Sequence, residues 1–473
     1  MKRFKVKKGK GELNSTGGNY LCGLLLGGHA KQSLPKNFQP RRSDAISDQS
    51  VLLTMIGLLS NARTDFNDVD LYKGDGVFAN AYGIERLPSE PVLRQRLDEL
   101  PPLRSHAALR EWNRRLLSQR KFGTVKAGHL KLVPVDIDVS PLDNSGSKKQ
   151  GVSFTYKKYD GYAPIFAYLG TEGYMLDSEL RPGSQHCQKG TPEFIGACVK
   201  TLDTLDLNGS CLLRLDSGND AADNFDHFGQ NYFIVKRNLR KECREQWLAT
   251  ARRVGVKCES RDGKNIYIGF VDHLRPGGDP SRACVPVVFE VIERLTDPDG
   301  NYLLVPEIEV NTYWTNLPCK AQEVIDLYHD HGTSEQFHSE LKTDLDIERL
   351  PSGKLCVNKI VLLCGMPAFN LLRGLGQEVI RRAALAPQKI TVCRWRLKTV
   401  LQNIIYCAVR IVRHAGRIEL HYGKRCPWFD IIADIARSRA WQSPQHQQQR
   451  PSGQDPGNCP TAHIETIASL GRL

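Results

Sequence analysis

No two of the 14 cysteines stand at the spacing of a C-x2-C pair, and no apolar core follows the basic start MKRFKVKKGKGELNSTGG. Scattered single thiols without a secretory signal exclude a disulfide framework and a cysteine zinc site, so most are expected to be small buried side chains. No window approaches the roughly 18 unbroken apolar residues of a bilayer span, and no transmembrane helix is expected. Acidic residues are almost missing at the start: ten Lys/Arg through Arg42 face one acid, Glu12. Over the whole chain the surplus is +13, which points to a polyanion or an anionic surface as the partner class. The cell interior is the expected location.

At 473 residues the chain exceeds one compact domain, and two to four units are expected. Residues 1–42 read as a basic arm, either flexible or touching phosphate. Residues 43–125 are helical in pattern. There SEPVLRQRLDEL opens on the N-cap Ser89 with Pro91 in the first turn. Leu93, Leu97 and Leu100 make its inward stripe, leaving Arg94 and Arg96 outward, toward a DNA groove or toward solvent. Strand-like runs such as HLKLVPVDIDVS and GSCLLRLDS then alternate with helix-compatible segments over 126–256, an α/β middle. Residues 257–320 are a β-rich inserted unit, and 321–375 return to helix. Residues 376–440 read as a basic helical region. Within it, Ile390 to Cys426 holds eight Lys/Arg, one acid and the interleaved Trp395, Tyr406 and Tyr422. That mixture suits nucleic acid or a plain basic surface. The Pro/Gln-rich 441–473 is expected to be disordered.

Three carboxylates stand in settings that suit a hard cation. Asp136 and Asp138 share one face of the strand VPVDIDVS, and Asp216 ends the strand CLLRLDS. On a single helix spanning LYHDHGTSEQFHSELKTDL, Tyr328, His331, Glu335 and Lys342 fall within about 60° of one another. Leu327, Phe337, Leu341 and Leu345 form the adjoining core arc, and Glu340 lies roughly 140° from Glu335. Glu335, not Glu340, is thus placed to meet a partner at the edge of the core. Two strand-borne aspartates and one helix-borne glutamate make an oxygen cage for Mg²⁺ or Mn²⁺. Turn-forming aspartates and a solvated glutamate explain the same spacing. His329, His331 and His338 lack the cysteine or acid spacing of a zinc motif.

The signature Tyr328, His331, Glu335, Lys342, with Asp138-Val139-Ser140 and RLDSGND around Asp216, resembles the group-1 DDE transposases of bacterial insertion sequences. These relatives carry a Tyr-x2-Arg-x3-Glu-x6-Lys signature. LPSEPVLRQRLDEL, YDGYAPIFAYLGTEGY, ELRPGSQHCQKG and DIERLPSGK extend the likeness over roughly residues 14–435. The resemblance implies an α/β fold with an RNase H-like catalytic core, interrupted by a β-rich insertion and flanked by helical N- and C-terminal regions. It implies binding of terminal inverted repeats, metal-dependent DNA cleavage and 3′-OH strand transfer in cut-and-paste transposition. Asp138, Asp216 and Glu335 would hold two Mg²⁺ ions, with Mn²⁺ as substitute. Lys342 and Tyr328 would meet phosphates. His331 departs from the arginine of the signature and offers one directional donor in place of a bidentate clamp. The implied partners are element-end and target double-stranded DNA and a second copy of the chain, in a bacterial cytoplasm at the nucleoid. Asp136 is a candidate supporting acid. Trp314 fits a core position better than the base-stacking role of relatives. The rival readings are a transposase-derived DNA-binding protein without activity and a metal nuclease unrelated to mobile elements.

Overall fold

Short apolar runs bounded by turns build one mixed sheet at the centre of the protein. The computed structural model describes residues 7–8, 11–27, 46–258, 261–273, 284–297, 299–415 and 417–440. The stretch 441–473, expected to be disordered, lies outside the described residues. Nine strands lie along the sheet: β1 Leu130–Val139, β2 Ile165–Leu169, β3 Tyr174–Glu179, β4 Cys211–Leu215, β5 Tyr232–Lys236, β6 Val256–Cys258, β7 Lys264–His273, β8 Val285–Thr296 and β9 Tyr302–Thr315. Their order is β6-β7-β8-β9-β5-β4-β1-β2-β3, and Val125–Ala127 pairs beside β1. β1, β4 and β5 are mutually parallel neighbours, and every other pairing is antiparallel.

Alternation along β1 sends Val133, Val135, Ile137 and Val139 into one core, beneath the helices Thr191–Thr204 and Arg244–Val254. The opposite face of β1 carries Asp136 and Asp138. Strands β6–β9 do not form a sheet apart: β9 pairs with β5 from Lys236↔Tyr313 to Ile234↔Thr315, so they extend the central sheet. Helix Arg244–Val254 packs on them, with Trp247 against Phe289 at 6.1 Å.

The helix Leu355–Arg381 has the length and apolarity of a bilayer span, against expectation, yet 83% of its most apolar window is buried inside the protein. Its polar residues explain why it is a core helix. Asn370 accepts from the Met175 amide at 2.8 Å and donates to the Met175 carbonyl at 2.8 Å, replacing a strand neighbour at the sheet edge. Asn113 of helix Pro102–Ser118 donates to the same carbonyl at 2.9 Å.

Two expectations about the ends change. Residues 11–27 are folded: Leu13–Asn14 pairs with Val409–His414, and helix Asn19–Leu26 buries Leu21, Cys22, Leu25 and Leu26. The basic C-terminal region is not wholly helical. Val409–His414 and Arg417–Tyr422 form a hairpin, as their period-2 alternation requires. Helix Glu90–Glu99 buries Leu93 and Leu97, but Ser89 caps it without a side-chain bond.

Candidate active site

The site lies on the polar face of β1, under the segment that follows helix Ala321–His329. Asp136 is locked there. Arg214, its register partner on β4, donates from Nε at 2.7 Å and Nη2 at 2.9 Å, and Nδ1 of His331 stands at 2.8 Å. Arg214 also donates to the carbonyl of Leu327 at 2.7 Å, tying sheet to helix end, where a cation is favoured. Burial pushes the Asp136 carboxyl up, but Arg214 and His331 outweigh it and leave it below the ordinary value. Asp136 is therefore saturated. His331 is spent on it and is itself buried, so it does not present the parallel donors of an arginine clamp.

Asp138 is more open. Its Oδ1 accepts from the Val139 amide at 2.7 Å, and its Oδ2 lies 3.3 Å from Nε2 of His338. Nδ1 of that imidazole is 3.3 Å from the hydroxyl of Tyr168. Burial raises Asp138; the bond and charge of His338, with His331 and the Val139 amide, bring it below its ordinary value.

Asp216 follows β4 and accepts from Asn219 at 2.6 Å. Burial, and next the charge of Asp138, push its carboxyl up. The two acids thus sense each other across adjacent parallel strands. Tyr328 faces both: burial, then Asp216, Tyr313 and Asp138, push its hydroxyl up. Lys342 is pushed down by burial, while Glu348 and Asp138 favour its charge and Lys157 opposes it.

Among the described residues Glu335 is exposed, on the helix Ser334–Ser339 that also carries His338. Among those residues no set of three or more His, Cys, Asp or Glu is gathered as a metal cluster. The reason is local. The single helix expected over 327–345 is broken into helix Ala321–His329, a 3-10 turn Asp330–Thr333, helix Ser334–Ser339 and a π-turn Glu340–Asp344. One wheel therefore does not relate Tyr328, Glu335 and Lys342. The order of the two glutamates is also reversed. Glu340 is the buried acid, bonded to Arg373 at 2.8 Å, to the Leu397 amide at 3.0 Å and to Arg394. Phe337, Leu341 and Leu345 do lie in the core.

Two hard carboxylates, one of them raised by burial and then by the charge of the other, fit a divalent cation, which would offset both. Glu335 lies three residues before His338 on the same short helix, hence on the face that meets Asp138.

The remaining predicted residues lie elsewhere. Arg96 is turned inward, paired with Asp48 and with Glu99 at 2.9 Å, and its side chain is 13% exposed, so it is a tie between helices and not an outward groove reader. Arg94 is outward, pairs with Glu90 at 2.5 Å and lies over the Phe66 ring at 4.9 Å. Trp314 is buried and donates to Asp220 at 2.8 Å. Sequence reasoning missed His338 and Tyr168 as supports of Asp138, and Tyr156, whose hydroxyl donates to the Val139 carbonyl at 2.8 Å. Phe166 and Tyr168 share the face of Asp138 by strand alternation, and this was the available signal.

A profile of the family described as transposase DDE domain, group 1, matches residues 11–230 and 291–440. A solved synaptic complex of piggyBac transposase with hairpin DNA is similar at 11% identity and a TM-score of 0.39, covering 94% of this chain and 88% of that one. No curated protein matches.

Proposed function

The chain belongs to the transposase DDE domain group 1 family, and from that premise we propose that it cuts and joins DNA at the ends of a bacterial insertion sequence. In this reading it recognises terminal inverted repeats, hydrolyses a phosphodiester at each end, and joins the freed 3′-OH to target DNA. The observation that carries it is the pair Asp138 and Asp216, set by adjacent parallel strands, where burial and then the charge of Asp138 push Asp216 up, with Tyr328 near enough to feel both acids and Lys342 near enough to feel Asp138.

Asp138, Asp216 and Glu335 would hold Mg²⁺ or Mn²⁺, which when bound supplies an activated water or hydroxyl and offsets charge on the leaving oxygen. Within the chain, His338 orients Asp138, Lys342 meets a phosphate oxygen beside the pair, and the Tyr328 hydroxyl donates to another. Asp136 and Arg214 keep β1, β4 and the helix end in register beneath them. His331 serves that scaffold, which leaves the phosphate contact of the signature to Tyr328 and Lys342. The contiguous block β1–β5, with β6–β9 added at one edge, supports an RNase H-like core with the insertion after β5. Two copies would hold two DNA ends together, in the cytoplasm at the nucleoid.

The exposed position of Glu335 favours one alternative, a DNA-binding protein that retains the scaffold without cutting. End-containing DNA incubated with the protein and Mg²⁺ decides between them. Cleavage that vanishes in Asp138→Asn and Asp216→Asn, with end binding kept, supports the transposase. Shifted but intact DNA from the unmutated protein supports the binder, and equal cutting of DNA without repeats points to a general nuclease.

A further inference from the structure

Two strands over from Asp138, the edge strand β3 and two helices line a half-open polar cavity of about 220 Å³. Its walls carry His106 and Arg110 of helix Pro102–Ser118, Ser178 and Glu179 of β3, and Lys359 of helix Leu355–Arg381. His106 and Arg110, four residues apart, share a helix face and reach the same space. Two atoms here are buried without a hydrogen-bond partner, Nε2 of His106 and Oγ of Ser178, and Ser178 has no exposed surface. Unpaired polar atoms of this kind are costly to bury unless a ligand or solvent meets them.

The charges decide which. Among the described residues Arg110 reaches Asp177 through Nε, at 2.9 and 3.0 Å, and no acceptor is found for its terminal amino groups. Lys359 makes no ion pair among the described residues. The one acid in the wall, Glu179, is engaged by Arg181 at 3.2 Å. The cations Arg110 and Lys359, beside the unpartnered Nε2 of His106 and hydroxyl of Ser178, suit an oxyanion. Burial, and then the charges of Arg110 and Lys359, push His106 down to about 4, a shift that a bound anion would reverse. Register also places the cavity near the cleavage centre: Ser178 pairs with Phe166, and Phe166 with Asp138. Two strand spacings, roughly 10 Å, separate Ser178 on the edge strand from Asp138 across the sheet.

We propose that this cavity binds a phosphate group through His106, Arg110, Ser178 and Lys359. Resting on the transposase reading for its source, the phosphate belongs to the backbone of DNA flanking the cleaved bond. Inorganic phosphate is the other source of the same chemistry. The test follows the histidine resonances of the full chain by NMR during titration with inorganic phosphate, in the unmutated protein and in Lys359→Gln. The salt dependence of DNA affinity is measured in both. The proposal expects the His106 midpoint to rise from about 4 on adding phosphate and to stay fixed in Lys359→Gln. It also expects the slope of log affinity against log salt to shrink by about 0.9 in the variant. A His106 signal blind to phosphate, with unchanged slopes, overturns the site. A phosphate response with unchanged slopes overturns the DNA source alone. Failure of the transposase reading shows differently, as no cleavage of end-containing DNA while His106 still responds.

Discussion

Two glutamates five residues apart have opposite settings, and they separate chemistry from stability at the level of single side chains. Glu340 sits with Arg373 and Arg394 in the core, so Glu340→Gln strands buried cations and should cost about 3–5 kcal/mol in urea unfolding. Glu335→Gln should leave the unfolding midpoint where it was and abolish cleavage. A midpoint that drops equally in both variants contradicts this division. His338 works through Asp138. His338→Ala is expected to lower Mn²⁺ affinity and cleavage rate by about 10–100-fold, as loss of a ligand's hydrogen-bond partner does. His338→Gln, which keeps a donor, should restore part of both. An unchanged Mn²⁺ titration in the alanine variant removes His338 from the site. His106 provides a pH test. Its folded value of about 4 lies below the unfolded one near 6.5, so the unfolded chain binds the extra proton between those values. Stability is therefore fully present above about 6.5 and falls as pH drops toward 4, and His106→Gln should flatten that limb.

Among elements, the segment from Tyr328 to Lys342 shows what a one-dimensional pattern conveys and what it omits. The apolar spacing of Phe337, Leu341 and Leu345 identified the core face, because burial depends on short-range periodicity. The 3-10 turn at Asp330–Thr333 and the π-turn at Glu340–Asp344 were not legible, since tertiary partners fix them: Arg373 and Arg394 on Glu340, and Arg396 at 3.0 Å on Asp344. The strands bearing Asp138 and Asp216 were readable because aspartate at the end of an apolar run is conspicuous. Their adjacency was not, as it depends on parallel pairing across 78 residues. The hairpin at residues 409–422 was obscured by its basic content, although Val409, Ile411 and Leu420 alternate as strands do. Arg96 likewise read as outward until Asp48 of a neighbouring helix supplied its partner. Arg96→Ala should therefore loosen the contact between these helices and lower stability by more than the ~1 kcal/mol of an exposed pair. DNA affinity should remain unchanged. Weakened DNA binding with intact stability would return Arg96 to the groove.

For the whole molecule, the central sheet and the helix Leu355–Arg381 hold one frame on which both the carboxylate pair and the edge cavity are built. A charge of +13 makes phosphate contact the main source of affinity in any DNA complex, so binding should weaken steeply as salt rises. A flat salt response would place the basic surfaces elsewhere than on DNA.

The proposed transposase chemistry has Asp138, Asp216 and Glu335 share divalent ions when DNA is bound, and anomalous diffraction from crystals of the protein with end-containing DNA and Mn²⁺ reads this out. Manganese is expected between the carboxylates of Asp138 and Asp216, with Glu335 brought in from solvent as the third oxygen donor. Manganese absent from that pair, or bound there with Glu335 still facing solvent, would overturn the shared site.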